Sequence, residues 1–191
     1  MPGVARTEGR RERGASLAEM LLAVSVLAVI GGLALPRADV TAEFTRNAAV
    51  GEVVQALRYA QSEAQRTGQY RVFSCDTAKQ QLRIFALLAG SSNENTAAPV
   101  FNAIDKAPYV VNLGNNNAMP NATLGPCSFA FAKGSGASQL MFGADGAPVN
   151  LTDPKGVDPI ALTSGSVSVS VMGRTTTISV DPLTGRITRT P

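Results

Sequence analysis

The hydrophobic pattern changes character three times along the 191-residue chain. Residues 1–14 are polar and arginine-rich, with Arg6, Arg10, Arg11 and Arg13 against Glu8 and Glu12. From Met20 to Pro36 no residue is charged (MLLAVSVLAVIGGLALP), and Ala15-Ser-Leu-Ala-Glu19 joins this run to the leader. After Pro36 the pattern is amphipathic. Val40, Phe44, Ala48, Val54, Leu57, Ala60 and Ala64 recur at spacings near three and four, with charged residues mostly between them. That stripe predicts Phe44, Val54 and Leu57 as core contacts. Gly68 after Arg66-Thr67 predicts a left-handed helix stop. A helix from Ala15 to Thr67 would be about 80 Å long at 1.5 Å per residue.

From Gln69 the period shortens toward two. Strands are predicted over Tyr70–Cys75, Gln81–Leu88, Tyr109–Leu113, Cys127–Ala132, Gln139–Phe142, Ser166–Val171, Thr175–Val180 and Arg186–Thr190. Gly, Pro and Asn punctuate them, most heavily at Ser91–Pro99 and Gly114–Pro120. Short strands with such turns predict an antiparallel sheet.

Composition narrows the chemistry. The chain has no histidine and two cysteines. This removes Ser-His-Asp and Cys-His catalysis, nearly all zinc chemistry and an ordinary four-thiolate cluster. With 5% aromatics and no Trp, a base-stacking nucleic-acid platform is disfavoured. Asp145, Asp153 and Asp158 lie on Gly/Pro-rich loops without calcium-loop spacing, so no metal site is predicted. Lys133-Gly-Ser-Gly136 lacks the order of a phosphate loop. Of the net charge of +3, the leader carries +2. The basicity is therefore a topology signal that favours a cytoplasmic leader.

The uncharged run falls slightly short of a bilayer span, which takes about 20 residues, and reaches that length only with Glu19. An acid in a membrane segment costs about 2.5–3.5 kcal/mol and calls for a partner. A secretory signal is disfavoured because Leu35-Pro36 is a poor cleavage site. A twin-arginine signal is disfavoured because Glu12 and Arg13 follow Arg10-Arg11. A plain anchor leaves Glu19 unexplained.

At these residues the chain resembles the type IV prepilin superfamily. The shared pattern is a basic leader ending in Gly, a cut after that Gly, Glu as fifth mature residue and often Pro as twenty-second. Counting from Ala15 after Gly14, Glu19 is fifth and Pro36 is twenty-second. Ala15 departs from the usual large apolar residue. The resemblance implies cleavage of Gly14–Ala15 by a prepilin peptidase and methylation of the new amine on Ala15. It further implies pairing of Glu19 with a neighbour's terminal ammonium during assembly, and a helix kink at Pro36.

Three stretches of the head are similar to the GspH/FimT branch of that superfamily. Leu57–Gly68 resembles its "ARSEA" helix end, with Gln61 in place of the Arg. Phe142–Pro148 resembles its "F-x-x-x-G" turn, and Gly185–Arg189 its terminal "GR" strand. Residues 90–125 match no part of the pattern.

The implied architecture is an α+β, pilin-like fold: a long N-terminal α-helix, its first half transmembrane, packed on an antiparallel β-sheet head. Its parts are a leader peptide (1–14), a transmembrane and assembly helix (15–36), an amphipathic helical half (37–68) and a periplasmic β-rich head (69–191). The implied protein is a minor pseudopilin that helps initiate or cap the type II secretion pseudopilus. It is single-pass in the bacterial inner membrane before assembly, and it is neither an enzyme nor a cofactor protein. Its partners would be other major and minor pilins, the peptidase and an inner-membrane assembly platform. The alternative is a minor pilin of a type IV pilus, binding DNA for natural transformation through Arg174, Arg186 and Arg189. Positions 186 and 189 point to opposite faces of a regular strand, which disfavours a shared DNA surface. With the leader read this way, Cys75 and Cys127 lie outside the cytoplasm, where a disulfide is permitted. The alternative is two buried thiols.

Overall fold

The computed structural model describes residues 16–34, 38–88, 93–114, 119–133, 136–151 and 159–190. The chain divides into two units, Met1–Ala38 and Asp39–Pro191.

In the first unit, α1 (Leu17–Ala34) opens at Ser16. The Ser16 carbonyl accepts the N–H groups of Glu19 (2.9 Å) and Met20 (3.1 Å). Ser16 followed three residues later by Glu19 has the order of a capping box, and the positive end of the helix dipole favours a carboxylate there. Every side chain from Ser16 to Ala28 is exposed. The 18 residues of α1 span about 27 Å at 1.5 Å each, against about 30 Å of bilayer hydrocarbon. Among the described residues no helix is long and apolar enough to cross a membrane. The transmembrane expectation covers 15–36, of which Ala15, Leu35 and Pro36 lie outside the described residues.

The second unit holds all but the first residue of α2 (Ala38–Thr67). It buries Ala49, Val50, Val53, Ala56, Leu57, Ala60 and Ala64 against the sheet. Four of these seven side chains are alanine, and all recur at helical spacing on one face. The expected stripe is corrected at Phe44, which is 72% exposed; Val54 is half-buried and packs against the core as expected. Phe44 precedes Ala49 by five residues, about 140° around the helix, so it faces away from the stripe that packs. The helix stops at Gly68, whose φ is +66°. The Gly68 N–H donates to the Ala64 carbonyl at 2.9 Å, a left-handed cap that glycine adopts without Cβ strain.

Among the described residues nine strands follow: β1 (Arg71–Asp76), β2 (Gln81–Ala86), β3 (Val110–Asn112), β4 (Ala122–Phe131), β5 (Gln139–Phe142), β6 (Pro148–Leu151), β7 (Pro159–Val171), β8 (Arg174–Val180) and β9 (Ile187–Thr190). The order is β3-β2-β1-β5-β6-β7-β8-β9, with β4 pairing β7, and the pairs are antiparallel. The long β7 makes this possible: Pro159–Ala161 pair with β6, and the remainder pairs with β4 and β8.

The core lies between α2 and the sheet, with Phe73 and Phe129 edge to face at 6.3 Å. On β7 the alternation buries Val167, Val169 and Val171, while Ser166, Ser168 and Ser170 take the other face. A smaller cluster of Val72, Phe85, Met141 and Val149 gives the β1–β2–β5–β6 region a second apolar face.

Cys75 on β1 and Cys127 on β4 are joined by a disulfide with Cα atoms 6.3 Å apart. Gln80 ties the same two regions together. Its Nε2 donates to the Leu124 carbonyl at 3.1 Å, and its Oε1 accepts the Leu124 N–H. The side-chain amide thus stands in for a strand along this part of β4.

Candidate functional site

Besides the Cys75–Cys127 and Gln80 links, two further places among the described residues of the second unit bring together groups from distant parts of the chain. At the first, the end of α2 meets two turns. Gln61 Nε2 donates to the Gly146 carbonyl at 2.9 Å and to the Thr184 carbonyl at 3.4 Å. One helical turn on, Gln65 Nε2 donates to the Asp145 carbonyl at 3.3 Å.

Both turns are built on glycine in the left-handed region, with φ +80° at Gly146 and +66° at Gly185. Neither has room for a side chain. A Cβ on Gly185 would lie 2.6 Å from Gln61 Nε2 and 2.9 Å from the Gly146 carbonyl oxygen. Acids shape the turns. Asp145 Oδ1 accepts the Ala147 N–H at 3.0 Å. Asp181 Oδ1 accepts the N–H (2.8 Å) and hydroxyl (2.7 Å) of Thr184 and the N–H of Leu183 (3.1 Å). These bonds, led by the Thr184 N–H, hold the Asp181 carboxyl below its ordinary pKa. Asp145 and Asp181 are therefore turn-formers; Asp153 and Asp158 lie outside the described residues. The helix end, the glycine turn and the terminal-strand approach, separate in sequence, converge at this one junction.

The second place is a recess of about 950 Å³ beside the last turns of α2. Its walls include Tyr59, Glu63, Arg66, Arg71, Phe101 and Lys106. Tyr59 is fixed by stacking on Tyr109 (ring centroids 4.8 Å apart) and by donating its hydroxyl proton to the Phe101 carbonyl (2.7 Å). Glu63 accepts two bonds from Arg66, at 2.7 and 2.9 Å. Those bonds hold the Glu63 carboxyl below its ordinary pKa, against the opposing effect of burial. Arg71 is 6% exposed. Burial lowers its pKa, and Glu63 partly offsets that.

The residues singled out from the sequence are dispersed. Gly14, Ala15 and Pro36 lie outside the described residues. Glu19 is exposed in the first turn of α1. Arg174, Arg186 and Arg189 are all exposed, and none joins an ion pair among the described residues. Arg189 is paired with the buried Ile178 in register, whereas Arg186 precedes the buried Ile187 and takes the opposite parity. Arg174 stands at the far end of β8, four residues from Ile178, or about 13 Å along the strand. The three guanidinium groups are not gathered on one face. Among the described residues no group of three His, Cys, Asp or Glu is placed to hold a metal ion.

Gln61, Gln65 and Arg71 were not singled out by sequence reasoning for the positions they hold. The one signal was Gln61 standing where an Arg is usual in the resembled motif.

No family model and no curated protein matches the sequence. Among solved structures, the fold is similar to the minor pseudopilin EpsH from the type 2 secretion system of Vibrio cholerae. That match has a TM-score of 0.48 and 17% identity, over 77% of this chain and 96% of that one. It is also similar to the Pseudomonas aeruginosa type IV minor pilin FimU in two crystal forms. One has a TM-score of 0.44 and 19% identity, over 76% of this chain and 92% of that one. The other has a TM-score of 0.45 and 18% identity, over 76% and 90%.

Proposed function

We propose that this chain is a minor pseudopilin, a structural subunit that helps initiate or cap a type II secretion pseudopilus. The observation that carries the reading is α1. It is an apolar helix whose side chains from Ser16 to Ala28 are all exposed, and it bears one carboxylate, Glu19. Such a surface needs a covering of lipid or of like helices. Its carboxylate needs a cation there, at a cost of about 2.5–3.5 kcal/mol if unmet. Cleavage between Gly14 and Ala15 creates that cation, a terminal ammonium four residues from Glu19, on every copy of the chain.

In this reading the leader (1–14) is removed, Ala15 is methylated, and residues 15–36 hold the subunit in the inner membrane until assembly. Glu19 sets register against a neighbouring subunit, and Pro36 lets the helix bend as the subunit leaves the bilayer. The partners are other pilins, the prepilin peptidase and an assembly platform. The intact mass of the purified mature protein tests this. A methylated chain starting at Ala15 is expected; an uncut Met1, or a start after Pro36, refutes it.

We favour secretion over a DNA-binding pilus because Arg174, Arg186 and Arg189 are not gathered on one face. A deletion strain should lose secreted proteins from the medium while keeping twitching and transformation. The reverse phenotype overturns the assignment. A gel shift with the full-length chain in detergent, at two salt concentrations, should show no band sensitive to Arg186→Ala or Arg189→Ala.

A further inference from the structure

We propose that the recess between the end of α2 and the 98–106 loop binds a protein segment presenting a carboxylate beside an apolar side chain. The proposal does not depend on the filament reading.

The charges in the recess do not balance. Among the described residues Arg66, Arg71 and Lys106 line it with one acid, Glu63. Glu63 is committed to Arg66, through bonds of 2.7 and 2.9 Å. Arg71 is left with little. Its Nη2 is 4.0 Å from Glu63 Oε1. Its Nη1 donates to Gln69 Oε1 at 3.4 Å and to the Tyr70 carbonyl at 3.1 Å. Its Nε is buried with no hydrogen-bond partner among the described residues. A guanidinium carries five N–H donors in a planar fork. Burying that cation with an incomplete set of acceptors is unfavourable. A planar carboxylate in the recess eases the deficit, since it supplies negative charge beside the guanidinium and accepts bonds from its Nη groups; the Nε–H stays buried and senses the added charge.

The remaining walls fit the apolar part of the ligand. Phe101 is 49% exposed, and Tyr59 is held in place at both ends of its side chain. The site is therefore organised before a ligand arrives, which lowers the cost of binding. The same walls disfavour a nucleic-acid strand. The Glu63 carboxylate opposes a run of phosphates, and one face of the Tyr59 ring is taken by Tyr109.

The test is a titration of the isotope-labelled full-length chain in detergent micelles, read from the Arg71 Nε–H and Phe101 ring resonances. The probes are acetyl-Ala-Asp-Phe-amide, the same peptide with Asn for Asp, and a DNA duplex. The acidic peptide should shift both resonances saturably and bind about tenfold more tightly than the Asn peptide. Arg71→Lys keeps the charge but loses the fork, and should weaken binding by more than about tenfold. Because Arg71 is buried, the exposed Lys106→Ala serves as the second variant. It should weaken binding about twofold to fivefold, as expected for a rim charge. The absence of a saturable shift, equal affinity for the two peptides, indifference to both substitutions, or displacement of the peptide by the duplex overturns the proposal.

Discussion

Gln61→Ala removes the amide that donates to the Gly146 carbonyl at 2.9 Å and the Thr184 carbonyl at 3.4 Å. The first geometry is a full hydrogen bond and the second is at the limit of one. Gly146 is buried, so its carbonyl loses a partner that water does not readily replace, at a cost of about 1–3 kcal/mol. The weaker bond adds little, and the expected loss is about 2 kcal/mol out of a total stability on the order of 10 kcal/mol. Gly185→Ala perturbs the same junction from the other side. The φ of +66° costs a Cβ-bearing residue about 1–2 kcal/mol. Its Cβ also meets Gln61 Nε2 at 2.6 Å and the Gly146 oxygen at 2.9 Å, an overpacking of about 1–3 kcal/mol. The two perturbations share an atom and must not add. With Gln61 truncated the nearest obstacle is gone, so the double variant should be more stable than the sum of the singles predicts, by about 1 kcal/mol. Urea unfolding of the four full-length proteins in mild detergent, followed by near-ultraviolet dichroism of the tyrosines, measures the cycle. The reasoning fails if the effects add within about 0.3 kcal/mol, or if Gln61→Ala alone costs under about 0.5 kcal/mol.

Reducing Cys75–Cys127, which are separated by 52 positions, should lower stability by about 4 kcal/mol in the chain-entropy model. The midpoint of urea unfolding with and without a thiol reductant checks this. Gln80→Ala removes both bonds to Leu124 and should cost about 1–2 kcal/mol. It should also speed amide exchange at Leu124, read by hydrogen exchange, with the disulfide intact. Tyr109 should show in alkali: burial, helped by Glu52 and Tyr59, raises its pKa from 10.0 to about 12. A raised folded-state value gives stability that is complete below pH 10 and lost as pH climbs toward 12. Spectrophotometric tyrosine titration beside an unfolding curve at each pH checks the sign, and Tyr109→Phe should remove that part of the loss.

Periodicity located most elements but misread two kinds of place. β5 lies where alternation predicts it, over Gln139–Phe142. β4 begins at Ala122 rather than Cys127, because Gly125-Pro126 reads as punctuation. The strand instead carries an irregularity between Leu124 and Cys127, where glycine and proline are tolerated. Similarly, β7 begins at Pro159 rather than Ser166, with Gly165 inside the strand. A Cβ there would meet Leu162 and Phe129 side chains at 3.1 Å. β6 (Pro148–Leu151) was not predicted at all, since four residues opening on proline carry almost no periodic signal.

Local chemistry was enough, from sequence, for the elements whose information is local. The apolar run of α1, the Gly68 stop and the alternating serines of β7 each follow from spacing within a few residues. The orientation of α2 was not local. Phe44 is as apolar as the residues that pack, and only the position of the sheet selects the stripe that includes Ala49, Val53, Ala56 and Ala60. The two shared sites depend still more on tertiary structure. Gln61 meets Gly146 and Thr184 across 85 and 123 positions of chain. Arg71 becomes an under-partnered buried cation because α2 delivers Glu63 to Arg66 and β1 delivers Arg71 beside them. Spacing along one segment encodes that segment's preferred conformation. Which distant polar groups are left to satisfy one another is decided when the segments close on a common core.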